Sequence, residues 1–227
     1  MPPRLMTPVL AGLKLGTRGR TKPELVHTAS PRRYKMNSRF KCRAACAAVF
    51  VAAFWLCAAV PESPAQTGAG VGGTVYRNKD GFNLLAPKGW VLDPTAGEDQ
   101  GLPCVLYPKG SSWADAAAVM YAEIGSDDQD YETFANYAIA HMKQTRSGFR
   151  WQRIESGKTA HGEPYFINEY PAGKSYGQYE RAAYIQLPKA VALIVFTARD
   201  EKSFRENRGV LTEAVKTVSP IEVVLKQ

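Results

Sequence analysis

Apolar residues recur along the chain with two different spacings, and the spacing distinguishes predicted strands from predicted helices. Short apolar runs bounded by Gly, Pro, Asn and Asp are typical of strands, and they fill much of the chain after residue 74. The predicted strands are two runs on either side of a turn at Asp80-Gly81, and then residues 90–93, 104–107, 117–124, 151–158, 163–170, 176–187 and 190–198.

Two segments show the three- and four-residue spacing of an amphipathic helix instead. Residues 130–146 carry one apolar stripe, with acids at the start and Lys143 and Arg146 at the end, which suits the helix dipole. Residues 200–218 predict a second helix, with Asp200 as its N-cap. Gly209 lies inside this second helix and weakens it by up to about 1 kcal/mol.

The connections between the later strands predict how the sheet is built. The linkers "TAHG", "PAGKS" and "PK" are short enough for hairpins, so neighbouring strands run antiparallel. Residues 190–198, "AVALIVFTA", are apolar at nearly every position, which indicates a strand covered on both faces. We therefore predict an α+β fold, a mainly antiparallel sheet flanked by helices.

An uncharged stretch near the N-terminus predicts export. Residues 44–60 lack charge, follow a basic segment and precede small residues, as in a secretory signal. The signal would span residues 36–65, with cleavage after Ala65 or, alternatively, after Ala59. The mature protein would be secreted or periplasmic, without a membrane span. An uncleaved anchor is the alternative, although 17 residues is short for a spanning helix.

The signal divides the chain into four predicted parts. Residues 1–35 do not resemble the start of a signal, so we expect translation from Met36 or a disordered extension. Residues 66–74 are glycine-rich and predict a flexible leader. Residues 75–227 predict one globular domain.

The net charge of +8 does not indicate a nucleic-acid partner. Residues 1–65 hold 11 Lys and Arg against two acids, whereas residues 66–227 hold 18 Lys and Arg against 19 acids. A nucleic-acid module carries its positive charge on the folded domain. Cys104 is the one cysteine after residue 65, so no disulfide can form within that part of the chain.

Residues 81–93, "GFNLLAPKGWVLD", resemble the opening of the PsbP-like superfamily: Gly-Phe, an apolar strand and then Pro-x-Gly-Trp. That superfamily includes an extrinsic photosystem II subunit, a Ran-binding nuclear import factor and many exported bacterial proteins. The motif covers residues 81–90, and the order of elements is similar over residues 75–218. The resemblance implies an α/β/α sandwich that binds partners, and it supplies no catalytic residues.

Candidate chemical groups are few and scattered. Cys104 could pair with His141 or His161, but a lone cysteine in an apolar strand is typical of a small buried hydrophobe. His161 and Glu163 offer two metal ligands, whereas zinc needs three or four protein ligands. We therefore predict no catalytic residue, metal or cofactor.

Tyrosines form the most suggestive group. Alternation along residues 176–187 places Tyr176, Gln178 and Tyr184 on one face, and Tyr170 lies in the preceding strand. A polar face with aromatic side chains is typical of a glycan- or peptide-binding surface, so these four residues are the predicted ligand-binding residues. The alternative is an ordinary sheet whose tyrosines are covered by a helix, with their hydroxyls reaching solvent.

The sequence favours a non-enzymatic binding or assembly module in the cell envelope. Its partner would be an envelope protein or a cell-wall polymer. One alternative is an envelope hydrolase with a site built from scattered residues, such as Glu163 near His161. The other is a glycan- or peptide-binding module that uses the tyrosine face.

Overall fold

The structure, a computed structural model, describes residues 72–126, 129–173 and 176–222. The predicted extension, the predicted signal and residues 66–71 of the predicted leader lie outside these residues. Strand formation begins at Gly72, so the last three residues of the predicted leader belong to a strand.

Ten strands and three α-helices form within the described residues. The strands are β1 Gly72–Arg77, β2 Asp80–Leu85, β3 Trp90–Asp93, β4 Val105–Pro108, β5 Ala118–Ser126, β6 Gln152–Lys158, β7 Pro164–Tyr170, β8 Tyr179–Gln186, β9 Val191–Ala198 and β10 Ser219–Glu222. The helices are α1 Tyr131–Thr145, α2 Glu201–Asn207 and α3 Val210–Lys216, and Glu98–Gln100 form a 3-10 helix. In this part of the chain, no helix has the length and apolar content needed to cross a bilayer.

The strands form two antiparallel sheets. The large sheet has the order β3-β4-β5-β9-β8-β7-β6, and the small sheet has the order β1-β2-β10. Each strand from β6 to β9 pairs with the next along the chain, as the short hairpin linkers predict. The predicted α+β class, with an antiparallel sheet flanked by helices, is confirmed.

The central strand β9 is buried at all of its positions, as its continuous apolar sequence predicts. Val191, Leu193 and Val195 pack on the side of α1. The residues between them, Ala192 and Ile194, pack on the other side, together with side chains of α2, α3 and the small sheet. The large sheet is therefore covered on both faces, which is the condition for a strand without polar positions.

Both helical segments begin as predicted, but the second is divided. The Asp130 carboxylate accepts a hydrogen bond from the Thr133 backbone N–H, which caps α1. Asp200 caps α2 in the same way through Ser203. The predicted single helix over residues 200–218 is interrupted at Gly209, and α2 and α3 lie on either side, because glycine is a weak helix former.

The first hairpin turns two residues earlier than predicted. Arg77 pairs with Asp80, so Asn78 and Lys79 form the turn and Gly81 lies within β2. Asn78 adopts φ 58°, a left-handed conformation that asparagine tolerates better than most residues. Gly81 is needed for a different reason. A Cβ there would lie 2.8 Å from the Val75 carbonyl oxygen.

Candidate functional site

Two of the four predicted ligand-binding residues lie beneath α1. Tyr170 on β7 is 1% exposed and Tyr184 on β8 is 0% exposed. Their hydroxyl oxygens are 2.9 Å apart, and the Asn168 side-chain amide lies 3.4 Å from the Tyr170 hydroxyl. These hydroxyls satisfy one another inside the core, and a surface ligand cannot reach them in this conformation.

The other two predicted residues, Tyr176 and Gln178, belong to the connection before β8. The Tyr176 hydroxyl donates to Glu180 Oε1 at 2.6 Å and lies 2.8 Å from Gln178 Oε1. Arg146, which follows α1, donates from Nη1 to Glu180 Oε2 at 2.9 Å. Its guanidinium carbon lies 3.8 Å from the centre of the Tyr176 ring. We call Arg146, Tyr176 and Glu180 the buried triad.

Burial sets the chemistry of these hydroxyls. It raises the pKa of Tyr170 to about 12 and the pKa of Tyr184 well above its usual value. It also raises the pKa of Tyr176, and the Glu180 carboxylate adds to that increase. All three hydroxyls therefore stay protonated near neutral pH and serve as hydrogen-bonding groups.

The prediction that Tyr176, Gln178 and Tyr184 lie on one face of a single strand needs a correction. β8 begins at Tyr179, whereas Tyr176 lies in an isolated bridge with Gly173. Tyr184 and Tyr170 are covered by α1, which is the arrangement of the alternative interpretation, but their hydroxyls meet inside the core and do not reach solvent. Ligand binding by Tyr176 and Gln178 stays a prediction, since both side chains are half-buried.

Arg146 is the member of the triad whose burial the sequence analysis did not predict. It caps the C-terminal end of α1, where it was expected together with Lys143, but only 7% of it is exposed. The spacing of the residues along α1 already indicates this burial. Arg146 follows the buried Met142 by four residues, so the helical period carries it onto the buried face.

The candidate chemical groups do not meet. Cys104 is 1% exposed, and burial together with the nearby Asp93 charge raises its thiol pKa to about 12. His141 lies exposed on α1, and His161 lies exposed in the β6–β7 turn. The Thr159 hydroxyl accepts from the backbone N–H groups of His161 and Glu163, which orders that turn. Among the described residues, no three His, Cys, Asp or Glu side chains are grouped for a metal ion.

Large apolar side chains are exposed instead on the outer face of the small sheet. Tyr76 on β1 is 62% exposed and Leu85 on β2 is 43% exposed. Tyr76 pairs with Gly81, and Gly81 pairs with Ile221 on β10, so these three residues form one row across the sheet. We call this the Tyr76–Ile221 row. Gly81 is buried between Tyr76 and Ile221, because a Cβ there would lie 3.0 Å from Tyr76 Cβ and 3.1 Å from Ile221 Cγ1, so the two side chains pack over its backbone.

A cleft adjoins this row. Its volume is about 250 Å³, and its walls are Asp80 and Gly81 of β2, Pro220 and Ile221 of β10, and residues 187–189 of the β8–β9 turn. None of the predicted ligand-binding residues lines it. The sequence interpretation did not find this site, because its walls come from three separate segments, two of which lie more than 100 residues after Asp80 and Gly81.

Comparisons with known proteins show a resemblance of fold. No protein-family model matches the chain, and no curated protein matches it in sequence. Among solved structures, the chain is similar to PsbP from Synechocystis sp. PCC 6803, with 15% identity over 69% of this chain and 96% of that chain, and a TM-score of 0.42.

Two other solved structures are similar over comparable lengths. The Ran-binding protein Mog1p of Saccharomyces cerevisiae has 12% identity, covers 61% of this chain and 89% of its own, and gives a TM-score of 0.39. A protein of unknown function from Pseudomonas aeruginosa has 12% identity, with coverage of 65% and 88% and a TM-score of 0.31. All three structures are less than 25% identical to this chain and give TM-scores below 0.5, so these similarities identify no family, partner, ligand or reaction.

Proposed function

We propose that this chain is an exported, non-enzymatic binding or assembly module that contacts a protein partner through the outer face of the small sheet. The observation that carries the proposal is the exposure of the Tyr76–Ile221 row beside the cleft, with Tyr76 62% exposed. Large apolar side chains grouped on a sheet face are typical of a protein contact surface.

The size of the cleft favours a protein over a small molecule. Pockets that bury a small ligand usually have volumes of roughly 300–1,000 Å³. The cleft, at about 250 Å³, is below that range and is continuous with the exposed row. It suits one or two apolar side chains from a partner whose remaining contacts spread over the sheet face.

The polar residues of the same face favour a protein over a cell-wall polymer. Thr74 and Asn83 form the next row of the small sheet, and the Thr74 hydroxyl lies 2.6 Å from Asn83 Oδ1. Because these two groups already bond to each other, they leave fewer hydrogen-bonding atoms for the many hydroxyls of a polysaccharide. An apolar protein segment needs no such partners.

Export is the second part of the proposal, and it rests on the sequence of residues 36–65. Three features support a cleaved signal: the basic start, the uncharged stretch at residues 44–60, and the small residues that precede the predicted cleavage after Ala65. N-terminal sequencing of the protein from its host tests this. A mature terminus at residue 66 supports export, and an intact terminus at Met1 or Met36 contradicts it.

Site-specific photo-crosslinking tests the contact surface. A photoreactive phenylalanine analogue replaces Tyr76 in the full chain, and a second sample carries it at Tyr137, which is 47% exposed on α1. Irradiation of cells that naturally make the protein should yield a discrete protein adduct from position 76 and none from position 137. Identical products from both positions, or no adduct from either, would contradict the proposed surface.

A further inference from the structure

The small sheet has an open edge along β1. In the order β1-β2-β10, one side of β1 has no neighbouring strand among the described residues. The two-residue turn of the first hairpin pairs Arg77 with Asp80, and in such hairpins this closing pair exchanges both backbone hydrogen bonds. Hydrogen bonding then alternates along the ladder. The backbone groups that point away from β2 are therefore those of Gly72, Thr74 and Tyr76.

These three outward residues are accessible to another chain. Gly72, Thr74 and Tyr76 are exposed, whereas Val75 is buried in the core on the inner side of the strand. Over residues 72–126, 129–173 and 176–222, no backbone hydrogen bond outside the β1–β2 ladder involves an outward residue. β1 therefore offers a second strand a set of main-chain donors and acceptors at positions that solvent reaches.

The other three sheet edges carry features that block strand pairing. On β10, Pro220 lies opposite Phe82, whose backbone groups face β1, so the N–H that proline lacks would have pointed outward. On β6, a bulge between Arg153 and Glu155 interrupts the ladder. The remaining edge strand, β3, is four residues long. β1 has six residues, no proline and no bulge, so its edge is the one that these features leave open.

We propose that β1 pairs antiparallel with β1 of a second copy of this chain, so that two three-stranded sheets form one continuous sheet. A two-fold axis perpendicular to the sheet relates the copies, and their outer faces therefore point the same way. Two Tyr76–Ile221 rows then lie on one surface and present a larger area to a partner. The inference stands on the strand edge alone and does not require the proposed function.

The strand is complementary to itself in this arrangement. Its outward residues are symmetric about Thr74, so pairing Thr74 with Thr74 of the second copy sets each Tyr76 opposite a Gly72. Every outward N–H and C=O then has a partner, whereas a shift by two residues leaves one outward residue of each strand unpaired. The Tyr76 ring covers the backbone that glycine leaves bare. Residues 72–76 carry no charge, so no like charges oppose each other across the pair.

Sedimentation velocity of the protein purified from its host tests the pairing. The native chain should show a concentration-dependent monomer–dimer equilibrium. Thr74→Pro removes the central N–H of both copies and leaves the β1–β2 ladder intact, so the dissociation constant of the dimer should rise about tenfold or more. Thr74→Ala is the matched control, because both variants lose the side-chain contact with Asn83 but only alanine keeps the N–H. Thr74→Ala should dimerise like the native chain.

A cysteine variant tests the register without a proline in the strand. Directly opposed residues of a hydrogen-bonded antiparallel pair have Cα atoms about 5.5 Å apart, which a disulfide can span. Mild oxidation of Thr74→Cys should therefore link two copies through position 74. Tyr76→Cys should form no link between positions 76, because each faces Gly72. Peptide mass spectrometry identifies the linked positions and distinguishes them from native cysteines.

The contrary outcomes are distinct. A native chain that stays monomeric at every concentration overturns the proposal, and so does a dimer that Thr74→Pro leaves as tight as Thr74→Ala does. A link through position 76 but not through position 74 contradicts the register. If the native chain is monomeric and Thr74→Pro abolishes the photo-adduct of position 76 with another protein, the edge binds a partner's strand and not a second copy. The proposed function survives each of these results, because an adduct of the chain with itself has twice the chain's mass and differs from a partner adduct.

Discussion

Removal of Arg146 from the buried triad should destabilise the protein strongly. The Arg146 and Glu180 side chains are 7% and 1% exposed. Arg146→Ala leaves the Glu180 carboxylate buried without its cation, although the Tyr176 hydroxyl still donates to it. Breaking a buried ion pair by removing one partner costs about 3–5 kcal/mol, a large part of the stability of a typical domain.

An exposed ion pair in the same protein provides the control. Arg153 and Glu132 also form a short ion pair, at 2.7 Å, but their side chains are 37% and 43% exposed. Exposed pairs contribute about 0–1 kcal/mol, so Arg153→Ala should change the free energy of unfolding by about 1 kcal/mol or less. Both arginines bond to a glutamate and lie over an aromatic ring, Tyr176 or Phe166, so burial is the main difference between the two pairs.

The assay is urea-induced unfolding of the full chain, followed by far-UV circular dichroism. A double variant, Arg146→Met with Glu180→Leu, removes both charges and should recover part of the stability that Arg146→Ala loses. If Arg146→Ala costs no more than Arg153→Ala, burial of the Arg146–Glu180 ion pair does not raise the cost of removing its cation. If the double variant is as unstable as the single variant, an unpaired charge is not the cause.

Three further predictions concern packing, acid stability and thiol reactivity. A Cβ on Gly125 would lie 2.6 Å from a Phe134 ring carbon, so Gly125→Ala should destabilise by about 1–3 kcal/mol in thermal unfolding, whereas Gly177→Ala, with open space around it, should be tolerated. Backbone N–H groups hold the pKa of Asp93 at about 2, below its unfolded value, so its stabilising effect should be complete above pH 4 and lost as the pH falls towards 2. Asp93→Asn should flatten the dependence of Tm on pH over that interval, and an unchanged profile would refute the assignment. Cys104 should resist iodoacetamide at pH 7 in the native chain and react after unfolding, as measured by peptide mass spectrometry; fast native labelling would show that it is accessible.

Features set by local sequence were predictable from the sequence alone. The continuous apolar run of β9 predicted a strand covered on both faces, and the stripe of α1 predicted its buried side. The N-cap residues Asp130 and Asp200 acted at the predicted places. These signals lie within a few residues of the structure that they specify, so no tertiary information is needed to interpret them.

Features set by distant contacts were not predictable in this way. β10 contains Pro220 and was not among the predicted strands, and it is a strand because it pairs with β2. Gly81 indicated a turn, yet its small size is needed between Tyr76 and Ile221. The cleft inherits both difficulties, since two of its walls belong to the paired strands β2 and β10, and the third comes from the distant β8–β9 turn.

The predicted tyrosine surface shows which information alternation alone does not supply. Alternation correctly separates the two faces of β8, but it does not show what covers each face. Tyr184 lies on the face under α1, and the aromatic residues that are exposed, Tyr76, Tyr137 and Trp151, lie on other elements or connections. The exposure of a side chain depends on whether a helix packs over its face of the sheet, and the sequence of the strand alone does not indicate this.

The yield of the crosslink at position 76, measured with and without Ile221→Glu, tests the central claim most directly. Ile221 is half-buried at the edge of the small sheet, so a charge there should alter the contact surface more than the fold. The account predicts that the adduct is lost while the far-UV circular dichroism spectrum stays unchanged. An undiminished adduct in the folded variant would contradict the claim that the Tyr76–Ile221 row and its cleft contact the partner.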